Sequence, residues 1–131
     1  MARTVLIVDD SKVARMLIAK ALVKMHPDWT LVEAGDAKEA LAITGTQTVD
    51  LALIDLNMPG AGGLALTTDL RRKSPNMPIA VVTANVQEEM IARVRECGAA
   101  FVAKPLTQEA LADFLSGANL RLRGAGKCPG T

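Results

Sequence analysis

The chain has 131 residues, with 15 Lys and Arg against 14 Asp and Glu for a formal charge of +1, which is the size and charge balance of one soluble domain. Half of it is hydrophobic and only 2% aromatic, so Ala, Leu, Ile, Val and Met must build the core; base stacking on aromatic platforms is nearly excluded, and the basic excess of a nucleic-acid binder is missing. Cys97 and Cys128 give neither a disulfide framework nor metal-ligand spacing, His26 has no second histidine to pair with, and no apolar run reaches the roughly eighteen residues of a membrane span. The pattern predicts a reducing, cytoplasmic setting, with neither nucleic acid nor membrane as a direct partner.

Strand-length apolar segments alternate with helical patterns along the chain. Thr4–Val8 (TVLIV) is the first strand. Val13, Ala14, Leu17, Ile18, Ala21, Leu22 and Met25 then recur at helical spacing and predict a helix with one continuous apolar stripe, ending near His26, a surface histidine before Pro27. Thr30–Glu33 is the second strand, and Asp36 with Glu39 three residues on predicts a capped helix through about Ile43, ended by Gly45. Leu51–Ile54 is the third strand. Leu64–Lys73 follows as a helix stopped at Ser74-Pro75, its Arg71-Arg72-Lys73 triplet read as a solvated end. Ile79–Val82 is the fourth strand, before a helix lined by Val86, Met90, Val94 and Cys97 with a left-handed cap at Gly98. Ala100–Ala103 is the fifth, and Thr107 opens a last helix with Ala110, Leu111, Phe114, Leu115 and Ala118 inward. The domain is predicted to span residues 1–118, and the Gly-rich segment 119–131 to be a short flexible tail. Alternation of this kind predicts an α/β fold, a doubly wound five-stranded parallel sheet with helices on both faces.

Polar residues interrupt this pattern where each strand ends: Asp9-Asp10 after the first, Asp55 after the third, Thr83 after the fourth and Lys104-Pro105 after the fifth. In an open α/β sheet the carboxyl edge of the strands is where ligands bind. With the strand order 2-1-3-4-5, all these side chains gather at one rim. Singly, each has a plain structural explanation as a cap, a turn or an exposed lysine. Together they place three carboxylates where mutual repulsion needs a cation, and oxygen-only ligands favour Mg²⁺ with a phosphate as further partner. A phosphoryl group on one Asp would use the remaining groups, Lys104 as a point charge and Thr83 as a donor.

This set resembles the receiver domain of two-component response regulators, the CheY-like family, from about Thr4 to Leu115. The residues that carry the resemblance are Asp9-Asp10, Asp55 in LALIDLNMPGAGG, Thr83-Ala84 and Lys104-Pro105. The resemblance implies a flavodoxin-like sheet and a phosphoryl group accepted on Asp55 from a histidine kinase or a phosphotransfer protein. Mg²⁺ would be held by Asp10, Asp55 and the Asn57 carbonyl, with Asp9 supporting it through water. It further implies a Thr83 and Phe101 switch, a cis Lys104-Pro105 bond, and a face of the fourth helix, fifth strand and fifth helix that changes shape for a downstream protein target or a homodimer. Asn57 and Asn85 would help set the phosphate lifetime. Phe101 stands where the family often has Tyr, so coupling there rests on packing, and Gly62-Gly63 predicts a mobile loop after Asp55.

A stand-alone receiver that assists its own modification, rather than an enzyme, is the expected function. An aspartate-nucleophile phosphohydrolase would use the same Asp, Mg²⁺, Thr and Lys, but its second acid would fall at Asn57, and no cap insertion is present. A pseudo-receiver acting only as an interaction module fits poorly with a complete acidic set.

Overall fold

The computed structural model describes residues 3–56, 62–84, 87–104 and 106–127, excepting the side chains of 62 and 119–127. Its elements run β1 (Thr4–Val8), α1 (Lys12–Met25), β2 (Thr30–Ala34), α2 (Ala37–Thr46), β3 (Leu51–Asp55), α3 (Gly62–Lys73), β4 (Ile79–Thr83), α4 (Glu88–Glu96), β5 (Ala100–Ala103) and α5 (Gln108–Lys127). The strands form one parallel sheet in the order β2-β1-β3-β4-β5, the predicted order. Because β1 lies between β2 and β3, the winding reverses beside it, and the carboxyl ends of β1 and β3 open a crevice there.

Period-two alternation divides the core. Leu6, Val8, Ala52, Ile54, Ile79 and Val81 face α2, α3 and α4, whereas Val5, Ile7, Leu51, Leu53, Ala80 and Val82 face α1 and α5. The three central strands are therefore apolar on both faces, as a covered parallel sheet requires.

Local signals explain the helix starts. Ser11 accepts from the Ala14 N–H at 3.2 Å, Asp36 from the Glu39 N–H at 2.8 Å, and Thr107 from the Ala110 N–H at 3.0 Å. Gly98 takes φ +74 and closes α4 as expected for a left-handed cap.

Five local expectations differ from the structure. Gly45 lies within α2 rather than ending it, since Thr46 still belongs to the helix. The last helix does not close near residue 118: α5 continues to Lys127, because Leu, Arg and Ala favour helix and no proline intervenes before Pro129, which offsets a glycine cost of about 1 kcal/mol each. The apolar stripe of α1 is only partly covered; Val13 is 67% and Leu17 64% exposed, and Leu22 alone is fully buried. Arg71 is not a solvated helix end. Its guanidinium donates to the carbonyls of Ser74, Pro75 and Met77 and to those of Cys97 and Gly98, tying the end of α3 to the end of α4. His26 is half-buried, stacked on buried Trp29 with ring centroids 3.8 Å apart and planes at 6°.

Candidate functional site

The strand ends bring the polar residues together. The Asp9 N–H donates to the Ala34 carbonyl, extending the β1–β2 ladder by one residue past Val8, and that of Leu56 donates to the Val82 carbonyl at 3.0 Å beyond β3. Asp9, Asp10 and Asp55 each offer a carboxylate oxygen, and these oxygens lie within 4.8 Å of one another. Asp9 and Asp55 are buried and Asp10 is exposed. Lys104 reaches in from the end of β5, its Nζ 2.9 Å from Asp55 Oδ1, and its own N–H donates to the Thr83 carbonyl at 2.9 Å. Thr83 is fully buried at the end of β4.

One lysine cannot balance three carboxylates. Burial pushes the Asp9 carboxyl above its ordinary 3.8; the Ser11 N–H that it accepts at 2.8 Å pulls it back, the Asp55 charge raises it, Lys104 lowers it and Asp10 raises it further. The donors are all oxygen, and with Lys104 paired they carry two excess negative charges, so the residues fit a hard divalent cation. Asn57, Asn85 and Pro105 lie outside the described residues, as does most of the loop after Asp55.

Several supports carry no chemistry of their own and were not singled out from the sequence. Arg15 donates to the Asp9 carbonyl and to Glu33 Oε1 at 3.0 Å, bracing β1 against β2 beneath the acidic group. In the sequence nothing separates it from Lys12, Lys20 and Lys24 of the same helix. At Gly63 a Cβ would lie 2.7 Å from the Asp55 carbonyl oxygen and 2.8 Å from Leu56 Cα, so its bare backbone is required by close approach.

Thr83 and Phe101 share a sheet face. The register pairs Thr83 with Ala103 and Val81 with Phe101, so alternation sets Thr83, Val81 and Phe101 toward the α4 side, where half-buried Phe101 packs with the three-helix core. Asp9 and Asp55 continue the opposite face. There the acidic group sits at one end of a cleft of about 440 Å³ between α1 and α5, lined also by Leu17, Ile18, Leu106 and Leu111.

The response regulator receiver domain family matches residues 5–116. The chain is similar to the probable transcriptional regulatory protein TcrX of Mycobacterium tuberculosis, 33% identical over 107 residues covering 81% of this chain and 45% of that protein. It is similar to the glycerol metabolism activator of Pseudomonas putida, 32% identical over 113 residues, with 85% and 51% covered. The sensor protein EvgS of Escherichia coli O157:H7 is 35% identical over 114 residues, 86% of this chain and 9% of that protein. The chain thus spans about half the length of the two regulators and a small part of the sensor. Among solved structures, the chemotaxis response regulator CheY4 of Vibrio cholerae superposes with a TM-score of 0.82 at 27% identity, covering 90% of this chain and 99% of that one. A CheY-like receiver domain from Methanospirillum hungatei shares the fold, with a TM-score of 0.85 at 23% identity and coverage of 94% and 98%.

Proposed function

Because this chain belongs to the family of response regulator receiver domains, which are signalling modules rather than enzymes, we propose that it accepts a phosphoryl group on Asp55 from a sensor histidine kinase or a phosphotransfer protein. The observation that carries this reading is the ion pair of buried Asp55 with Lys104 at 2.9 Å inside a group of three carboxylates. The similarity to sensor proteins and regulators alike supports the choice of donor.

In the transfer, an Asp55 carboxylate oxygen forms the bond to phosphorus while the bond from phosphorus to the donor nitrogen breaks, its electron pair leaving with the donor imidazole. Such a transition state is loose, so positioning and charge neutralisation matter more than covalent assistance. The Lys104 ammonium moves from the carboxylate to the incoming phosphoryl oxygens, and the Thr83 hydroxyl donates to another of them. Asp9, Asp10 and Asp55, with the Asn57 carbonyl, would hold Mg²⁺, which neutralises phosphoryl charge when bound.

Modification adds nearly two negative charges at the buried end of β3. Thr83 turning toward them leaves room beside Phe101 on the same sheet face, and repacking of Phe101 carries the change to α4, β5 and α5, the surface for a downstream protein or a second copy.

Intact-mass measurement after incubation with acetyl phosphate and Mg²⁺ tests this directly. The expected result is a gain of one phosphoryl group in the wild type, none in Asp55→Asn, and a rate roughly two orders of magnitude slower in Lys104→Met. Unchanged mass in the wild type, or a gain that survives Asp55→Asn, overturns the proposal.

A further inference from the structure

Away from the acidic rim, a cavity of about 360 Å³ opens between α3 and α4, a volume within the range of small-molecule sites. Leu64, Thr68, Arg71 and Arg72 line it from one side of α3, at i, i+4, i+7 and i+8. Arg93, Glu96 and Cys97 line it from one side of α4, at i, i+3 and i+4. Three guanidiniums therefore face one carboxylate across a short space between two helices.

The walls of this cavity are fastened together. Arg71 is spent on backbone carbonyls at the ends of both helices, Ser74, Pro75 and Met77 after α3 and Cys97 and Gly98 after α4. The Thr68 hydroxyl and the Cys97 thiol meet 3.6 Å apart across the same gap. A cavity built in advance loses little freedom when a ligand enters. Its charges, by contrast, are left open. Exposed Arg72 makes no ion pair or hydrogen bond among the described residues, and Arg93 has only Glu89 at 3.3 Å, an exposed i, i+4 contact that is cheap to displace.

We propose that this cavity binds a nucleoside monophosphate, whose phosphate is forked by Arg72 and Arg93 and whose planar base lies against Leu64 and a guanidinium face. Glu96, the one acid on the lining, is an acceptor for a sugar hydroxyl. Several considerations select this occupant. Three guanidiniums repel a metal ion and attract an anion, and the planar fork of arginine matches phosphate oxygens two at a time while its face stacks on a flat ring. An acidic helix, about 10 Å across, is too wide for a cavity of this volume. A bare phosphate would leave Leu64 and the arginine stems without a partner. The proposal stands whether or not Asp55 accepts a phosphoryl group.

The test uses the full chain carrying Cys128→Ser, so that Cys97 is the single thiol. It is titrated with adenosine monophosphate in buffer free of divalent cations, where the acidic rim repels phosphate. Amide shifts and the rate of Cys97 alkylation by iodoacetamide are read together. Expected are saturable shifts confined to residues 64–72 and 93–98, a Kd below about 1 mM, and alkylation slowed about fivefold or more at saturation. Adenosine, glycerol phosphate and inorganic phosphate should each bind at least about tenfold more weakly. Arg72→Gln and Arg93→Gln should each lower the affinity about tenfold, and Lys73→Gln, at a neighbouring base off the lining, should leave it unchanged. All three substitutions are at exposed positions, and unchanged melting temperatures would show that the fold is retained. Absence of saturable shifts up to about 10 mM, shifts centred elsewhere, unslowed alkylation, an affinity matched by adenosine, inorganic phosphate or glycerol phosphate, or equal weakening in Lys73→Gln each overturn it.

Discussion

The two faces of the sheet are covered differently. On one, α2, α3 and α4 enclose a cluster that includes Leu6, Val8, Ile54, Leu66, Leu70 and Val94, all but sealed from solvent. Arg71 then ties two of those helices together through backbone carbonyls at both their ends. On the other, two helices cover the same width of sheet; α1 buries Leu22 and leaves Val13, Met16, Leu17 and Val23 in solvent, and a cleft remains between α1 and α5. Three helices can close over five strands, whereas two can close only if their large side chains reach across, and Ala14, Ala21 and Ala110 are too short for that. The tightly covered face is a scaffold that holds the rim residues in place, and the loosely covered one leads from the acidic group to open surface.

The largest expected effect tests this contrast by paired truncation. Leu6→Ala, inside the three-helix cluster, should lose about 4 kcal/mol in urea denaturation, and Leu53→Ala, which lines the cleft, about 2 kcal/mol, because part of the surroundings of Leu53 is already open and water can enter the enlarged space. Equal losses would break the distinction between the faces. Arg71→Met should cost about 2–3 kcal/mol, since several carbonyls lose a charged donor at once. Hydrogen exchange should accelerate around residues 74–77 and 96–99 and remain unchanged in α1. Acceleration spread evenly over both faces would mean that Arg71 supports the whole sheet.

The smallest effect concerns the rim. The Asp9 carboxyl has its folded value raised above 3.8, so the folded chain binds that proton more tightly than the unfolded chain, and stability falls as pH rises above 3.8 toward the raised value. Asp9→Asn keeps an oxygen to accept the Ser11 N–H while removing the charge. Melting temperatures without divalent cations should therefore be higher than wild type at neutral pH, and the gain should vanish below about pH 3.8. A gain independent of pH would separate the effect from carboxylate repulsion.

Much of the fold was legible because its signals are local. TVLIV and IAVV read as strands from composition, Asp36 with Glu39 as a cap from the spacing of two side chains, and Gly98 as a left-handed terminus from its place after an apolar helix. The rim was legible through a global rule, that polar residues at the carboxyl ends of parallel strands converge, so Asp9, Asp10, Asp55, Thr83 and Lys104 stood out at positions spread over most of the chain. Arg71 was misread for the opposite reason: a basic triplet at a helix end looks the same whether the guanidinium meets water or five carbonyls.

The sequence by itself determined the order of strands and helices, the apolar faces and the set of rim residues, because periodicity and chemical type are properties of the chain. Only the tertiary structure decided how completely each face is covered, that Gly63 must be bare because Asp55 lies 2.7 Å from where its Cβ would be, and that Val13 and Leu17 point outward despite their place in an apolar stripe. Those outcomes depend on distances between elements remote in sequence, and the pattern along one element carries no record of how near its neighbour comes.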